Sequence, residues 1–343
     1  MAENFWLGMA IVFMSGTVNG SFPLPMKYSR EWPWENNWLA FSVLAWIVFP
    51  TLLAYIFVPH LSQVYREVPA HAVLLPVVFG FLWGCSQVAM GLSFKAMGVA
   101  FAFSVMASLN TLTGSLIPLV AFAREELLRP RGLLLYVSIP ILLVGLWLYA
   151  RAGRRREKEQ GTPQTAPATP RTSFAKGLAL CIFAGIFGSF VNLGFAFGGD
   201  VARKSLELGA SPLASTYAVW ALVCWSGAIP NILYCCYLLS RNSSWSFFKG
   251  PGHTKESFLA LAMAILWMVA IFSYGAGATM IGKYGTSVGY TLLVAMTILA
   301  STSVGVLTKE WKGTLPQTRR MLATAMSIVL VSVIVLNAGG LFS

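Results

Sequence analysis

Apolar residues in this chain run in long blocks, without the period-two alternation of a half-buried strand. Ten stretches, roughly 5–25, 38–58, 72–94, 98–123, 132–150, 177–199, 212–239, 257–282, 285–308 and 321–341, contain no Asp, Glu, Lys, Arg or His. Each is close to the ~20 residues that a helix needs to cross hydrocarbon, and the charged side chains fall in the connections between them. The pattern predicts an all-α integral membrane protein of ten transmembrane helices.

The stretch RAGRRREKEQGTPQTAPATPRTS, residues 151–173, breaks the pattern: a basic run gives way to Gly, Thr and Pro, a composition typical of a solvated linker. It divides the chain into five spans over 1–151, a cytoplasmic linker over 152–173, and five spans over 174–343. Because five is odd, the second set enters the membrane from the opposite side, so the halves read as inverted repeats. Weak internal similarity fits this division. Gly8 and Gly16 match Gly177 and Gly185, Met97-Gly98-Val99 matches Tyr284-Gly285-Thr286, and Glu125 or Glu126 matches Glu310. Glycines at 80, 84, 91, 185, 188 and 194 permit close helix approach, and Pro50, Pro76, Pro118, Pro140 and Pro230 each free a carbonyl inside a span.

Composition narrows the class further. With 57% apolar and 10% charged residues, the chain lacks the charge that a soluble surface requires. The net charge of +12 is better explained by membrane orientation than by nucleic acid. If both termini face outward, the cytoplasmic connections hold 17 of the 24 Lys and Arg residues, which predicts periplasmic termini in an inner membrane. Glu3 in place of a basic n-region argues against a cleaved signal peptide. All five cysteines lie inside spans, where they read as packing residues, and the three histidines are isolated at span edges, so no metal centre is indicated. No phosphate-binding loop, zinc-protease motif or nucleophile elbow occurs, which leaves enzyme chemistry and cofactors without support.

A chamber for a hydrophilic solute must be walled by hydrogen-bonding groups, and few are available inside the spans. They are Asn19, Gln87, Asn110 with Thr111 and Thr113, Asn192, Tyr217, Asn231, Tyr274 and Tyr290. Amides offer both donors and acceptors, as sugar hydroxyls demand, although each also suits a plain helix-to-helix bond. Trp83 and Trp267 occupy corresponding places in spans three and eight and can stack on a sugar ring. Trp6, Trp32, Trp34, Trp38 and Trp311 lie near span ends and read as interfacial anchors. No span contains a carboxylate to carry a coupling proton. Glu35, beside Trp34 and near Lys27, is the first candidate, and Asp200 after Gly198-Gly199 is the second; each also reads as a solvated helix-end charge.

Pro25, Lys27, Trp32, Trp34, Glu35 and Trp38, continuing through Trp46-Ile47 and Pro50 to Pro59, resemble the second-helix region of bacterial L-rhamnose/proton symporters. So do Trp83-Gly84 with Gly91-Leu92, Arg151-Ala152-Gly153, Leu208-Gly209 with Pro212, Gly227-Ala228-Ile229 with Asn231, and Lys309-Glu310-Trp311, in the same order over almost the whole chain. The chain departs from the enterobacterial pattern at Gly275-Ala276-Gly277-Ala278 and Gly285-Thr286-Ser287, where those symporters are more polar. The resemblance implies the drug/metabolite transporter superfamily, with two inverted five-helix halves around a central site and alternating access. It also implies a sugar and protons as the transported partners, with membrane lipid around the protein. An uncoupled facilitator or exporter of another small metabolite is the rival within transport. A receptor or scaffold without transport is the rival outside it, and it gives the amides no reason to converge.

Overall fold

The computed structural model describes residues 2–97, 99–122, 124–126, 128–160, 174–309 and 311–338, and no strand forms among them. The α-helices are α1 Ala2–Ser21, α2 Trp34–Val43, α3 Phe49–Phe57, α4 Leu61–Glu67, α5 Ala70–Met97, α6 Val99–Phe122 and α7 Pro130–Glu159. They continue as α8 Phe174–Gly188, α9 Phe190–Phe197, α10 Gly199–Glu207, α11 Tyr217–Arg241, α12 His253–Ile281, α13 Tyr290–Leu307 and α14 Pro316–Ala338. Short 3-10 and π turns link several of them.

Nine stretches among the described residues are long and apolar enough to cross a membrane. One of these, His253–Leu307, has 55 residues. As one straight helix it would extend about 80 Å, against a hydrocarbon thickness of about 30 Å. It is instead broken: α12 stops at Gly282, whose φ of +77° no longer fits a helix, and a 3-10 turn and the π segment Gly285–Gly289 lead into α13. Two other apolar stretches are interrupted as well. A π segment, Leu44–Val48, separates α2 from α3, and a bend at Ser189 separates α8 from α9.

Helix α7 runs past the expected linker boundary. It carries the basic run to Glu159 because that end is held: Ala152 is fully buried, the Arg156 guanidinium lies 4.8 Å from the Trp311 ring, and Glu159 accepts from Leu315 N–H and the Thr318 hydroxyl. The remainder of the proposed linker, 161–173, and the repeat matches at Gly98 and Glu310 lie outside the described residues.

Packing shows an exchange between the first and second parts of the chain. Helix α1 packs against α12 and α13, while α8 and α9 pack against α5 and α6, and α7 packs against α14. Small residues permit the closest of these approaches. A Cβ placed on Gly8 would lie 2.7 Å from Gly277 O, and one on Gly84 would lie 2.2 Å from Gly227 O, so α1–α12 and α5–α11 meet backbone to backbone.

Charged connections gather at two opposite ends. At one, residues 24–37, 242–256, 308–318 and 156–160 interlock through Lys27 with Thr308, Trp32 with Phe247 and Gln160 with Lys312. At the other, Lys204 pairs with Glu67 at 2.7 Å and Asp200 with Arg203 at 2.8 Å. The Lys204 ammonium and then the Gln63 amide hold the Glu67 carboxyl below the usual carboxylate range. Its contribution to stability is therefore present above that range and lost as pH falls through it, and exposure keeps it small.

Several tryptophans depart from the anchor reading. Trp6 and Trp34 are exposed, but Trp32, Trp38 and Trp311 are buried, and the first two donate to Phe247 O and Asn231 Oδ1. Proximity to a span end describes depth along the membrane normal, and these three rings face inward at that depth.

Candidate functional site

Polar pairs bridge helices at the broken segments and beside them. Pro118 cannot donate to Gly114 O four residues earlier, and Asn192, at the start of α9, supplies the missing donor at 2.8 Å. The same Nδ2 donates to Thr286 O, at 2.7 Å, inside the π segment before α13. The Tyr274 hydroxyl of α12 donates to Asn192 Oδ1. Asn192 is fully buried, and its amide is engaged by protein on both sides. A residue with these bonds satisfies irregular backbone at mid-membrane, where water cannot.

The second pair joins α13 to α6: the Tyr290 hydroxyl donates to Asn110 Oδ1. Tyr274 and Tyr290 stand edge to face with ring centroids 6.2 Å apart, so both pairs belong to one cluster. Ser115 and Thr291 exchange a hydrogen bond of 2.6 Å one turn further on. In the third pair, Asn19 of α1 donates to Thr297 of α13 at 3.1 Å, two turns from Tyr290 on the same helix face.

Between these braces lie polar groups with spare capacity. Asn110 Nδ2 is turned toward Gly188, where an added Cβ would come within 2.8 Å of it, and Ser86 Oγ would lie 3.9 Å from the same point. Gln87 is half-buried and makes one long contact, 3.4 Å to Ser86 Oγ. One turn along α5, a Cβ on Gly91 would meet no atom within 4 Å. Gly91 thus leaves room one turn from Gln87, whereas at Gly188 the Asn110 amide occupies the place a side chain would take.

One turn from Gln87 in the other direction, Trp83 opens an aromatic cluster. Its ring lies parallel to Trp267, at 14° with centroids 6.1 Å apart, and Trp46 packs against both. Trp83 and Trp267 sit halfway along α5 and α12. Trp46 comes from the π segment after α2, and its indole N–H is buried without a hydrogen-bond partner. The periodicity of the apolar run gives no hint that Trp46 joins this cluster.

Of the remaining candidates, Asn231 accepts from Trp38 and donates to Gly84 O and Gly227 O, a helix-to-helix brace. Thr111 bonds the carbonyl one turn back, and Tyr217 packs on Phe272. Glu35 is buried at 7% exposure in the first turn of α2, and its Oε1 accepts from Asn242 Nδ2 and Ser244 Oγ, both at 2.9 Å. Lys27, the cation expected beside it, donates to Thr308. Asp200 lies at the other end of the molecule, a third exposed, between Arg203 and His71. Glu256 was missed by sequence reasoning because it falls one residue before an apolar stretch; it is fully buried.

Chemically, the central groups can hydrogen-bond hydroxyls and present indole faces to a ring. They include no carboxylate and no strong nucleophile; the buried carboxylates among the described residues are Glu35 and Glu256.

A family model described as L-rhamnose-proton symport protein matches residues 1–342. The L-rhamnose-proton symporter of Mannheimia succiniciproducens is 26% identical over 349 residues, covering 99% of this chain and 99% of that protein. The L-rhamnose-proton symporter of Yersinia pestis strain Pestoides F is 26% identical over 348 residues, covering 98% and 97%.

Proposed function

The chain belongs to the L-rhamnose-proton symport protein family, and from that premise we propose that it imports L-rhamnose, or a closely related deoxysugar, together with protons by alternating access. The observation that carries this reading is the juxtaposition of half-buried amides, at Gln87 and Asn110, with parallel indoles at Trp83 and Trp267. Amides suit the hydroxyl rim of a sugar, and indoles suit its apolar face and its methyl group.

The architecture we infer is ten crossings in two inverted five-helix halves, as in the drug/metabolite transporter superfamily, counting α12 and α13 separately. The exchanged packing supports it, since α1 against α12 and α13 mirrors α8–α9 against α5 and α6. The end that holds 24–37 and 242–256 faces the cytoplasm of an inner-membrane protein, with both termini periplasmic; its wealth of Lys and Arg supports that orientation. Residues 1–151 and 174–343 are the two halves.

In this mechanism Gln87 and Asn110 hold sugar hydroxyls, Trp83 and Trp267 take the ring, and Tyr290 orients Asn110. Asn192, Tyr274 and Asn19 brace the broken segments around the pocket. Glu35 binds and releases the proton, and Asp200 remains a peripheral second candidate in an exposed ion pair.

A melting experiment tests the substrate. Purified protein is heated with L-rhamnose, other deoxyhexoses and ordinary hexoses, since a ligand that binds only the folded state raises the melting temperature with occupancy. At a concentration of 100 times Kd the gain is about 2.7 kcal/mol. The expected order places L-rhamnose first. An equal or larger shift from an ordinary hexose, with none from L-rhamnose, would remove the substrate assignment.

A further inference from the structure

We propose that Glu256 is a second proton-binding carboxylate, and that it forms with Glu35 a reciprocal latch closing one end of the transporter. The inference rests on the symport reading above and deepens it.

The two carboxylates are crossed. Glu35, in the first turn of α2, accepts from Asn242 and Ser244 in the segment leading to α12. Glu256, in the first turn of α12, accepts from Arg30 N–H at 3.0 Å and Glu31 N–H at 3.2 Å in the segment leading to α2. Ser29, whose hydroxyl accepts from Asn37 Nδ2 at 2.8 Å, stands beside the same carboxylate. Each helix thus holds the other's approach segment, and Asn36 Nδ2 to Ser244 O and Trp32 Nε1 to Phe247 O reinforce the seam.

The two oxygens of Glu256 are unlike. Both backbone donors go to Oε1, while Oε2 is buried without a hydrogen-bond partner. A buried carboxylate oxygen left bare is costly, and a proton on Oε2 would remove the charge without displacing a donor. Once neutral, the group accepts from the loop amides more weakly, because charge-assisted hydrogen bonds are about twice as strong as neutral ones.

The charged groups around the latch come from every neighbouring segment. The 24–33 segment brings Lys27, Arg30 and Glu31, α2 brings Glu35, and the end of α11 brings Arg241, with Tyr234 and Cys235 on the same helix. The approach to α12 brings Lys249, and the helix itself begins with His253 and Lys255. Lys and Arg outnumber Glu in these segments. Protons arriving through the central chamber neutralise the pair, the two approach segments separate, and this end opens.

Proteoliposomes with an imposed pH gradient test the assignment. Each coupled proton sustains about a tenfold sugar gradient per pH unit, because 1.4 kcal/mol is a factor of ten. In Glu256→Gln one half of the latch is permanently neutral and the closed end is no longer held from both sides, so L-rhamnose should equilibrate instead of accumulating, and its exchange should persist with a flattened pH dependence. Full accumulation by Glu256→Gln, beside a coupled parent, would overturn the proposal and leave the symport reading standing. A parent that exchanges L-rhamnose without moving protons would instead overturn the symport reading. Loss of exchange in a variant that still binds L-rhamnose would make Glu256 a structural brace and also defeat the idea.

A measurement on the unaltered protein covers a variant that does not fold. Dicyclohexylcarbodiimide reacts with protonated, apolar-shielded carboxyls. Adduct at Glu256, read by mass spectrometry of its peptide, should rise as pH falls. Failure to label at any pH, while other buried carboxyls react, would contradict the assignment.

Discussion

Replacing Glu35 with Gln is expected to abolish proton-driven accumulation of L-rhamnose while labelled sugar still exchanges across the membrane. Gln has the size of Glu and keeps an oxygen facing Asn242 and Ser244, so the seam retains its shape. It cannot take up or release a proton. With coupling intact, each proton supports about a tenfold gradient per pH unit, and without it the sugar only equilibrates. Exchange needs binding and reorientation alone, and Gln87, Asn110, Trp83 and Trp267 are untouched. Initial rates of uptake and of counterflow, measured side by side, check this. Undiminished accumulation by the variant would take Glu35 out of the mechanism.

Asn192→Leu is expected to produce the largest loss of stability among single changes in the central cluster. Leu has a similar size but no donor, so Gly114 O and Thr286 O lose their partner, and the Tyr274 hydroxyl loses its acceptor. Each buried polar group left unmade costs about 1–3 kcal/mol, which for three groups approaches the stability of many domains. Tyr274→Phe leaves both carbonyls satisfied and only Asn192 Oδ1 without a donor, so its cost should be the ~1–3 kcal/mol of a single such group. Melting of the detergent-solubilised variants checks the order. If Asn192→Leu melts with the parent, the bridging bonds are not what holds the broken segments together.

Depth in the membrane was legible from the chain, and direction was not. Runs free of charge mark where the backbone lies in hydrocarbon, which is why the expected stretches fall on α1, α5, α6, α11, α12 and α13. The break at Leu44–Val48 is hidden because its residues are as apolar as their neighbours, and Gly188-Ser189 is a pair of small residues that also fits an unbroken span. Trp32, Trp38 and Trp311 sit at interfacial depth yet point inward, and hydropathy along the chain cannot separate the two. The amide inventory gathered residues in different situations: Asn192 and Asn231 serve backbone carbonyls, while Gln87 makes a single long contact and Asn110 accepts from Tyr290. That difference depends on which carbonyls the broken segments leave free. Glu256 escaped notice because one position separates a connection from a span, and only the fold of residues 24–37 over α12 buries it.

External pH, recorded as L-rhamnose is added to energy-depleted cells making this protein, tests the central claim most directly. Protons entering with the sugar should turn the medium alkaline, and a protonophore should abolish the change. Entry of labelled L-rhamnose with no pH response would contradict symport and leave a facilitator.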